Sequence, residues 1–385
     1  MDKLKIKSEN ANTTTFVHFV DLQRQYQSLR EEMLEIFDQV ASQASFINGP
    51  SVTEFEESFA ALHGPSCHVV GVSCGTDALH LAMLALEIGP GDEVITAPNT
   101  WISSAFAADY VGAKTILVDI DPLTHQMDPA SLEAAITPRT KAVVPVHMYG
   151  HPAPMDTISE ICRLHGGIKI VEDVAHAPLA RLNGQLLGTF GDVACFSYYP
   201  SKNLGAFGDG GAILTQNPEL ATKVRELAFY GQSQPHWHTS IGHNFRLDTL
   251  QAAILKSKMP YLEKWNQARR RAALRYDKLL AHLPVKCPKV REGAEPVYHL
   301  YVIELDDRNE AMAFLREHGV MAQIHYPNLI HRQPCYAHLG YNDDNFPNAV
   351  NASRRILSLP IFPEITEIEI DYVVETLEKF LEHND

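Results

Sequence analysis

The most informative stretch of the chain reads Ser197-Tyr198-Tyr199-Pro200-Ser201-Lys202-Asn203-Leu204-Gly205, and Gly208-Asp209-Gly210-Gly211 follows it closely. The stretch begins at the end of one strand-like run, Ala194–Tyr198, and leads to the next, Gly211–Thr215. Glycine-rich turns of this kind let the backbone pack closely around a ligand. Taken alone, however, Lys202 could be a surface lysine in front of an ordinary glycine turn.

An acidic residue upstream completes the pattern. The apolar run Ile170-Val171-Glu172-Asp173 ends in a carboxylate that would be costly to bury without a partner. A lysine amine can form a Schiff base with the aldehyde of pyridoxal 5'-phosphate (PLP), and a carboxylate can keep the pyridine nitrogen of PLP protonated. Asp173 alone could be a simple strand-end aspartate. Together, Lys202 and Asp173 predict a PLP site in which both are catalytic.

Strand-like and helix-like segments alternate through the first part of the chain. The strand candidates are His68–Ser73, Val94–Ala97, Thr115–Asp119, Ala142–His147, Ile168–Asp173, Ala194–Tyr198 and Gly211–Thr215. Helical patterns separate most of the early ones, at Thr76–Leu86, Ser103–Tyr110, Pro129–Ala135 and Met155–Leu164. The alternation predicts an α/β fold with a mostly parallel, seven-stranded sheet covered on both faces. Active sites in such sheets form at the carboxyl ends of strands, where Ser73, Asp173 and Tyr198 fall.

The remainder of the chain has a different character. A long helical region, Leu247–Leu280, precedes strand candidates at Tyr298–Glu304 and Gln323–Tyr326 and helical patterns at Glu310–His318 and Ile368–Phe380. We therefore predict two domains. Residues 1–258 form an N-terminal segment and a large PLP-binding domain, and residues 259–385 form a linking helix and a smaller α+β domain. Residues 1–15 are polar and are expected to be loosely attached.

Composition narrows the class of protein. The 385 residues carry a net charge of −15, which argues against nucleic acid and anionic membranes as partners. A phosphorylated small molecule is still compatible, because a few local groups can hold it. Six scattered cysteines without a C-x-x-C pair argue against a metal cage or disulfide framework and indicate a reducing compartment. We expect a cytoplasmic enzyme without a metal, since the N-terminus also lacks an apolar signal core.

Five further positions are suited to binding PLP. Gly75 and Thr76 begin a helix after a strand, where free N–H groups favour an anion, although an ordinary capped helix would look the same. Trp101 follows the next strand and could stack on the pyridine ring or belong to the core. His176 could reach the ring oxygen or be structural. Ser197 could add its hydroxyl to a phosphate cradle.

At this point the chain resembles the nucleotide-sugar aminotransferases of the DegT/DnrJ/EryC1/StrS family, a branch of the fold-type-I PLP enzymes. The resemblance runs nearly end to end and is carried by ordered motifs. They include Phe19-Val20-Asp21-Leu22, Phe46-Ile47-Asn48-Gly49-Pro50, Gly75-Thr76-Asp77-Ala78-Leu79, Val144-Pro145-Val146-His147-Met148-Tyr149-Gly150, Glu172-Asp173-Val174-Ala175-His176-Ala177, the Lys202 stretch, Asn244-Phe245-Arg246-Leu247-Asp248, Ile324-His325-Tyr326-Pro327 and Leu357-Ser358-Leu359-Pro360.

The resemblance implies a role for each matching position. Lys202 would bind the cofactor covalently and move the proton, Asp173 would pair with the pyridine nitrogen, and Trp101 would stack on the ring. The phosphate would be held by Gly75, Thr76 and Ser197, with Asn244 reaching it from the neighbouring subunit of a homodimer. His325 and Tyr326 would lie near the sugar. Many members have glutamine where this chain has His176, and a dehydrating branch has histidine where this chain has Lys202.

The function implied is amino-group transfer from L-glutamate to a keto group of a nucleotide-linked deoxysugar. Asn99-Thr100, Trp265-Asn266 and Arg269-Arg270 look most like the branch that aminates dTDP-3-keto-6-deoxyhexoses. A 4-keto sugar, a 3-keto-uronic acid or a keto-cyclitol stays open as substrate. A PLP dehydratase and a non-catalytic regulator are the rival classes. Lys202 and the lack of an iron–sulfur cysteine cluster in the sequence argue against the dehydratase, and intact Lys202 and Asp173 argue against the regulator.

Overall fold

The computed structural model describes residues 16–383; the expectation for residues 1–15 lies outside them. The helices are α1 (Leu22–Ser42), α2 (Pro50–His63), α3 (Gly75–Ala85), α4 (Ser103–Tyr110), α5 (Pro129–Ala135), α6 (Met155–Leu164), α7 (Pro218–Ala228), α8 (Thr249–Lys258), α9 (Leu262–Leu280), α10 (Arg308–Glu317), α11 (Pro347–Arg355) and α12 (Glu367–Glu382). The strands are β1 (His68–Val72), β2 (Glu93–Thr96), β3 (Lys114–Leu117), β4 (Thr140–Val143), β5 (Lys169–Asp173), β6 (Arg181–Leu182), β7 (Gln185–Leu186), β8 (Val193–Ser197), β9 (Gly211–Thr215), β10 (Gln232–Gln234), β11 (Trp237–His238), β12 (Ala294–Glu295), β13 (Tyr301–Glu304) and β14 (Ile356–Leu359).

Seven strands form the main sheet, in the order β1-β9-β8-β5-β4-β2-β3. The pairs from β8 through β5, β4 and β2 to β3 are parallel, whereas β9 runs antiparallel to both β1 and β8. Val72 at the end of β1 and Ser197 at the end of β8 both lie opposite Gly211. The turn after β1 and the lysine loop after β8 therefore meet at one edge of the sheet.

Alternate residues of the strands are buried on opposite faces, which makes the fold three-layered. Val69 and Ile170 belong to a core with α2, α6 and α8, and Val70 and Val171 belong to a core with α3 and α7. Successive side chains of a strand point to opposite faces, so a sheet that buries both must be covered twice. The predicted α/β class with a seven-stranded, mostly parallel sheet is confirmed.

The C-terminal part has its own core, in which β13 and β14 pair antiparallel and pack with α9, α10 and α12. Val17 joins that core, because its backbone exchanges hydrogen bonds with Gly319 and Met321. The prediction of a strand at Gln323–Tyr326 is wrong: only Gln323 forms an isolated bridge, to Ser358, and the true partner of β13 is Ile356–Leu359. The boundary at residue 258 stays a prediction.

Within residues 16–383, none of the helices has both the length and the apolar character that crossing a membrane requires.

Candidate active site

A cavity of about 910 Å³ opens at the carboxyl ends of β1, β5 and β8 and is closed by the N-terminal segment and by residues 321–326. Nine of the ten predicted site residues line it: Gly75, Thr76, Trp101, Asp173, His176, Ser197, Lys202, His325 and Tyr326. Asn244 is the exception. Its side chain is exposed, and its backbone pairs with Phe229 outside this cavity. A second cavity, of about 1030 Å³, lies between α2 and α7 and contains none of the ten.

Lys202 is held by a loop that folds tightly on itself. Its backbone N–H donates to the carbonyl of Tyr199 (2.8 Å), and Ala206 donates to Tyr198 (2.8 Å). A Cβ at Gly205 would lie 2.2 Å from the carbonyl oxygen of Pro200, so only glycine fits there. Burial lowers the pKa of Lys202 to about 8, and the charge of Asp173 partly opposes that shift. The amine is thus more readily neutral than a surface lysine.

Asp173 is a carboxylate 6% exposed at the end of β5. The hydroxyl of Ser104 donates to its Oδ2 (2.8 Å), and the backbone N–H of Ala175 donates to its Oδ1 (3.1 Å). Burial raises the pKa of Asp173, while these two hydrogen bonds and the charge of Lys202 lower it. Among residues 16–383 it makes no ion pair closer than 4.0 Å, so a buried cation in the cavity would be a suitable partner.

Glu172, the residue before Asp173, has a structural role. Glu172 is fully buried and accepts hydrogen bonds from the backbone N–H groups of Gly188, Phe190 and Gly191, and from His147. Because successive side chains of a strand point to opposite faces, Glu172 anchors the loop before β8 while Asp173 faces the cavity.

His176 is held in one neutral tautomer. Its Nδ1 accepts from the backbone N–H of Tyr149 (3.3 Å), which leaves the proton on Nε2. Burial and the nearby charge of Lys202 lower the pKa of His176 well below its usual value. The ring lies 4.5 Å from that of His299, whose Nδ1 bonds to Oδ1 of Asn203, the residue after the lysine. His176 therefore offers an N–H donor to an oxygen in the cavity.

The start of α3 packs directly against the end of β8. A Cβ at Gly75 would lie 2.8 Å from Cβ and 3.3 Å from Oγ of Ser197, and a Cβ at Gly211 would lie 2.5 Å from the backbone of Cys74. The hydroxyl of Thr76 pairs with Ser103 (2.8 Å). The first N–H groups of a helix have no intrahelical acceptor, and the helix dipole favours an anion there. This corner is a suitable phosphate cradle.

Aromatic rings line the opposite side of the cavity. Trp101 is 57% exposed, and its ring lies 5.4 Å from that of Tyr326. The ring of His325 stacks on Phe19 at 5.5 Å, and its Nδ1 bonds to the hydroxyl of Ser358 (2.9 Å). Burial lowers the pKa of His325 to about 4, so it is neutral at physiological pH.

The comparison with family models is decisive for the relationship. The model of the DegT/DnrJ/EryC1/StrS aminotransferase family matches residues 27–378. The chain belongs to this family. The predictions of the family and of a sugar aminotransferase are thereby confirmed.

Relatives within the DegT/DnrJ/EryC1/StrS family are similar over almost their whole length. A "pleiotropic regulatory protein" of Geobacillus stearothermophilus is 42% identical over 370 residues, which is 95% of this chain and 99% of the relative. UDP-N-acetyl-3-dehydro-alpha-D-glucosamine 3-aminotransferase of Acidithiobacillus ferrooxidans is 42% identical over 367 residues (95% and 98%). dTDP-3-amino-3,4,6-trideoxy-alpha-D-glucose transaminase of Streptomyces venezuelae is 40% identical over 373 residues (97% and 98%).

Two solved structures show the same fold. S. venezuelae DesV, in complex with a ketimine intermediate, superposes with a TM-score of 0.93 at 40% identity, covering 95% of this chain and 99% of that one. NtdA of Bacillus subtilis, with the cofactor PMP bound, superposes with a TM-score of 0.89 at 32% identity, covering 97% of this chain and 87% of that one.

Several residues of this aminotransferase site were not singled out from the sequence. Ser104 bonds to Asp173 from α4, His299 packs on His176, and Phe19 comes from the N-terminal segment. The Phe19-Val20-Asp21-Leu22 motif was itself a signal for that segment, since it is part of the family resemblance. Ser104 and His299 gave no local signal, because their partners are distant in the chain.

Proposed function

We propose that the protein is a PLP-dependent aminotransferase that moves an amino group from L-glutamate to the C3 keto group of a nucleotide-linked deoxysugar. One observation carries the proposal. A buried lysine faces the same cavity as a buried carboxylate that makes no ion pair within residues 16–383, and a helix N-terminus that lines the cavity can hold a phosphate. These groups match the aldehyde, the protonated ring nitrogen and the phosphate ester of PLP, respectively.

The residues would divide the work as follows. PLP, when bound, supplies an electron-withdrawing ring that makes a proton on the substrate carbon removable. Lys202 Nζ takes up and returns that proton, because an amine with a pKa of about 8 exchanges protons near neutral pH. Asp173 holds a proton at the ring nitrogen. His176 donates its Nε2–H to the ring oxygen, and Gly75, Thr76 and Ser197 bind the phosphate.

The preferred substrate is a dTDP-3-keto-6-deoxyhexose. In its support, a 40% identical relative bears the name of a dTDP-3-amino-sugar transaminase. A UDP-linked substrate is the main alternative, because a 42% identical relative bears the name of a UDP-sugar 3-aminotransferase. Both names place the amino group at C3, which favours C3 over the 4-keto sugars. A 3-keto-uronic acid also stays an alternative, because a 38% identical relative bears the name of a UDP-2-acetamido-2-deoxy-3-oxo-D-glucuronate aminotransferase. A keto-cyclitol has less support from these names.

The assignment of Lys202 is tested by exchanging buried lysines. The protein purified with PLP is expected to absorb visible light, and Lys202→Ala is expected to lose that band. Lys258→Met is the matched control, since burial also lowers the pKa of Lys258 to about 8, but its ammonium bonds to the carbonyl of Gly205 (2.7 Å) outside the cavity. Equal spectra for the wild type and Lys202→Ala would refute the assignment.

The substrate is tested by following the same band through both half-reactions. L-glutamate should bleach it, and one keto-sugar nucleotide from a panel of dTDP and UDP compounds should restore it. Recovery with a dTDP-3-keto sugar alone supports the full proposal. Recovery with a UDP sugar alone, or only with a 4-keto sugar, would keep the chemistry and replace the substrate. If glutamate never bleaches the band, glutamate is not the donor.

A further inference from the structure

One tyrosine outside the cavity connects its two sides. Tyr149 lies in the turn that follows β4 and is 5% exposed. Its backbone N–H donates to Nδ1 of His176 (3.3 Å), and its hydroxyl donates to the backbone carbonyl of His325 (2.9 Å). A single residue therefore bonds both to the histidine that we place at the cofactor and to the segment that we place at the sugar.

The backbone of this turn is unfavourable for a bulky residue. Tyr149 has φ 63° and ψ 4°, the left-handed region in which glycine or asparagine is usual. Gly150 has φ 90°, and a Cβ there would lie 2.7 Å from the backbone nitrogen of His299. The turn is thus both strained and closely packed. The hydroxyl of Tyr149 makes a bond to His325 that glycine, the residue best suited to this conformation, could not make.

The hydroxyl of Tyr149 bonds to the segment that contains His325 and Tyr326. The other hydrogen bonds described for this segment come from the C-terminal core. The side chain of His325 bonds to Ser358 of β14 (2.9 Å), and the ring of Tyr326 faces Trp101 across the cavity mouth (5.4 Å). Ser358 also exchanges backbone hydrogen bonds with Gln323. The hydroxyl of Tyr149 adds a hydrogen bond that connects the turn after β4 to the backbone of His325.

We propose that Tyr149 is a positioning residue for sugar selectivity. Its hydroxyl fixes the depth at which His325 and Tyr326 enter the cavity, without touching the substrate itself. The inference rests on the proposed function, because it assigns these two side chains to the sugar. A sugar nucleotide is larger than glutamate and extends further from Lys202 towards residues 325–326. Displacement of the segment should therefore weaken sugar binding more than glutamate binding.

The test removes one oxygen atom. Tyr149→Phe keeps the ring and the backbone N–H but loses the bond to His325. Tyr372→Phe is the matched control, because the Tyr372 hydroxyl also donates to a histidine carbonyl, that of His318 (2.8 Å), remote from the cavity. Both PLP-loaded variants are mixed with L-glutamate and, separately, with dTDP-3-amino-3,4,6-trideoxyglucose and its UDP counterpart. Bleaching rates are measured against concentration, and calorimetry gives the Kd of dTDP.

Three outcomes are distinguishable. For Tyr149→Phe we expect the half-saturating concentration of the amino sugar to rise about three- to tenfold, as for one lost hydrogen bond, with less than a twofold change for glutamate and for dTDP. Tyr372→Phe should match the wild type for the amino sugar, for glutamate and for dTDP. An equal loss for both amino donors, or no loss for either, overturns the inference. If the wild type reacts with neither donor, the proposed function itself fails, whatever the variants do.

Discussion

The proton affinity of Asp173 depends on a neighbour that contributes one hydroxyl. Ser104 donates to Oδ2 of Asp173 at 2.8 Å, which stabilises the carboxylate and lowers its pKa against the effect of burial. Loss of that bond in Ser104→Ala raises the pKa of Asp173. As the pH falls, Asp173 is then protonated earlier, and its neutral carboxyl no longer stabilises the protonated ring nitrogen of PLP. We expect the acid limb of kcat/KM for glutamate to move up by about one pH unit.

The pH profile needs a control for the loss of any buried serine. Ser353 is 2% exposed, and its hydroxyl bonds within α11 to the carbonyl of Val350 (2.8 Å). Ser353→Ala should leave the acid limb where the wild type has it. An unmoved acid limb in Ser104→Ala would show that Asp173 does not control the acid side of the profile.

At the scale of an element, the N-terminus of α3 is proposed to hold the phosphate of PLP. The lack of a side chain at Gly75 determines how closely α3 packs against β8. A methyl group at Gly75 would lie 2.8 Å from Ser197, so that the helix or the serine must move out of the cradle. We expect Gly75→Ala to weaken PLP binding about tenfold or more, measured by titrating PLP into the apo protein.

The matched control for that titration is Gly89→Ala. A Cβ at Gly89 would meet only the carbonyl of Val111, at an ordinary 3.8 Å. This variant should bind PLP like the wild type, and thermal unfolding should show whether either protein is destabilised. PLP binding by Gly75→Ala within twofold of the wild type would place the phosphate elsewhere.

The helices and strands differ in how well the sequence predicts them. All seven strands of the main sheet were predictable, because most of them are apolar or β-branched runs bounded by Gly, Pro or Asp. α2 was overlooked although Pro50 at its first turn and Phe55 and Phe59 on one face are helical signals. β14 was missed because it follows α11 without a turn, so that no breaker separates helix from strand. The contacts of Ser104 and Tyr149 depend on tertiary packing and positive φ angles, which no local pattern encodes.

On the scale of the whole molecule, the surface has features that suit contact with a second copy of the chain. Asn244 lies away from the cavity that holds its own Lys202, and Trp237 and Ile241 nearby are 66% and 94% exposed. Exposed apolar side chains commonly mark an interface where they form a contiguous patch. We therefore expect a homodimer, with twice the 42.9 kDa of one chain by light scattering, in which Asn244 reaches the phosphate of its neighbour.

Shared sites can be tested by complementation. Lys202→Ala and Asn244→Ala homodimers should each be impaired, because every site in them contains one altered residue. In a mixed dimer both changes fall in one site, and the other site receives native Lys202 from one chain and native Asn244 from the other. Co-expression should therefore restore activity in about a quarter of all sites, if the chains pair at random. Were Asn244 to serve its own chain, no mixed dimer would contain a native site, and activity would stay at the average of the two parents.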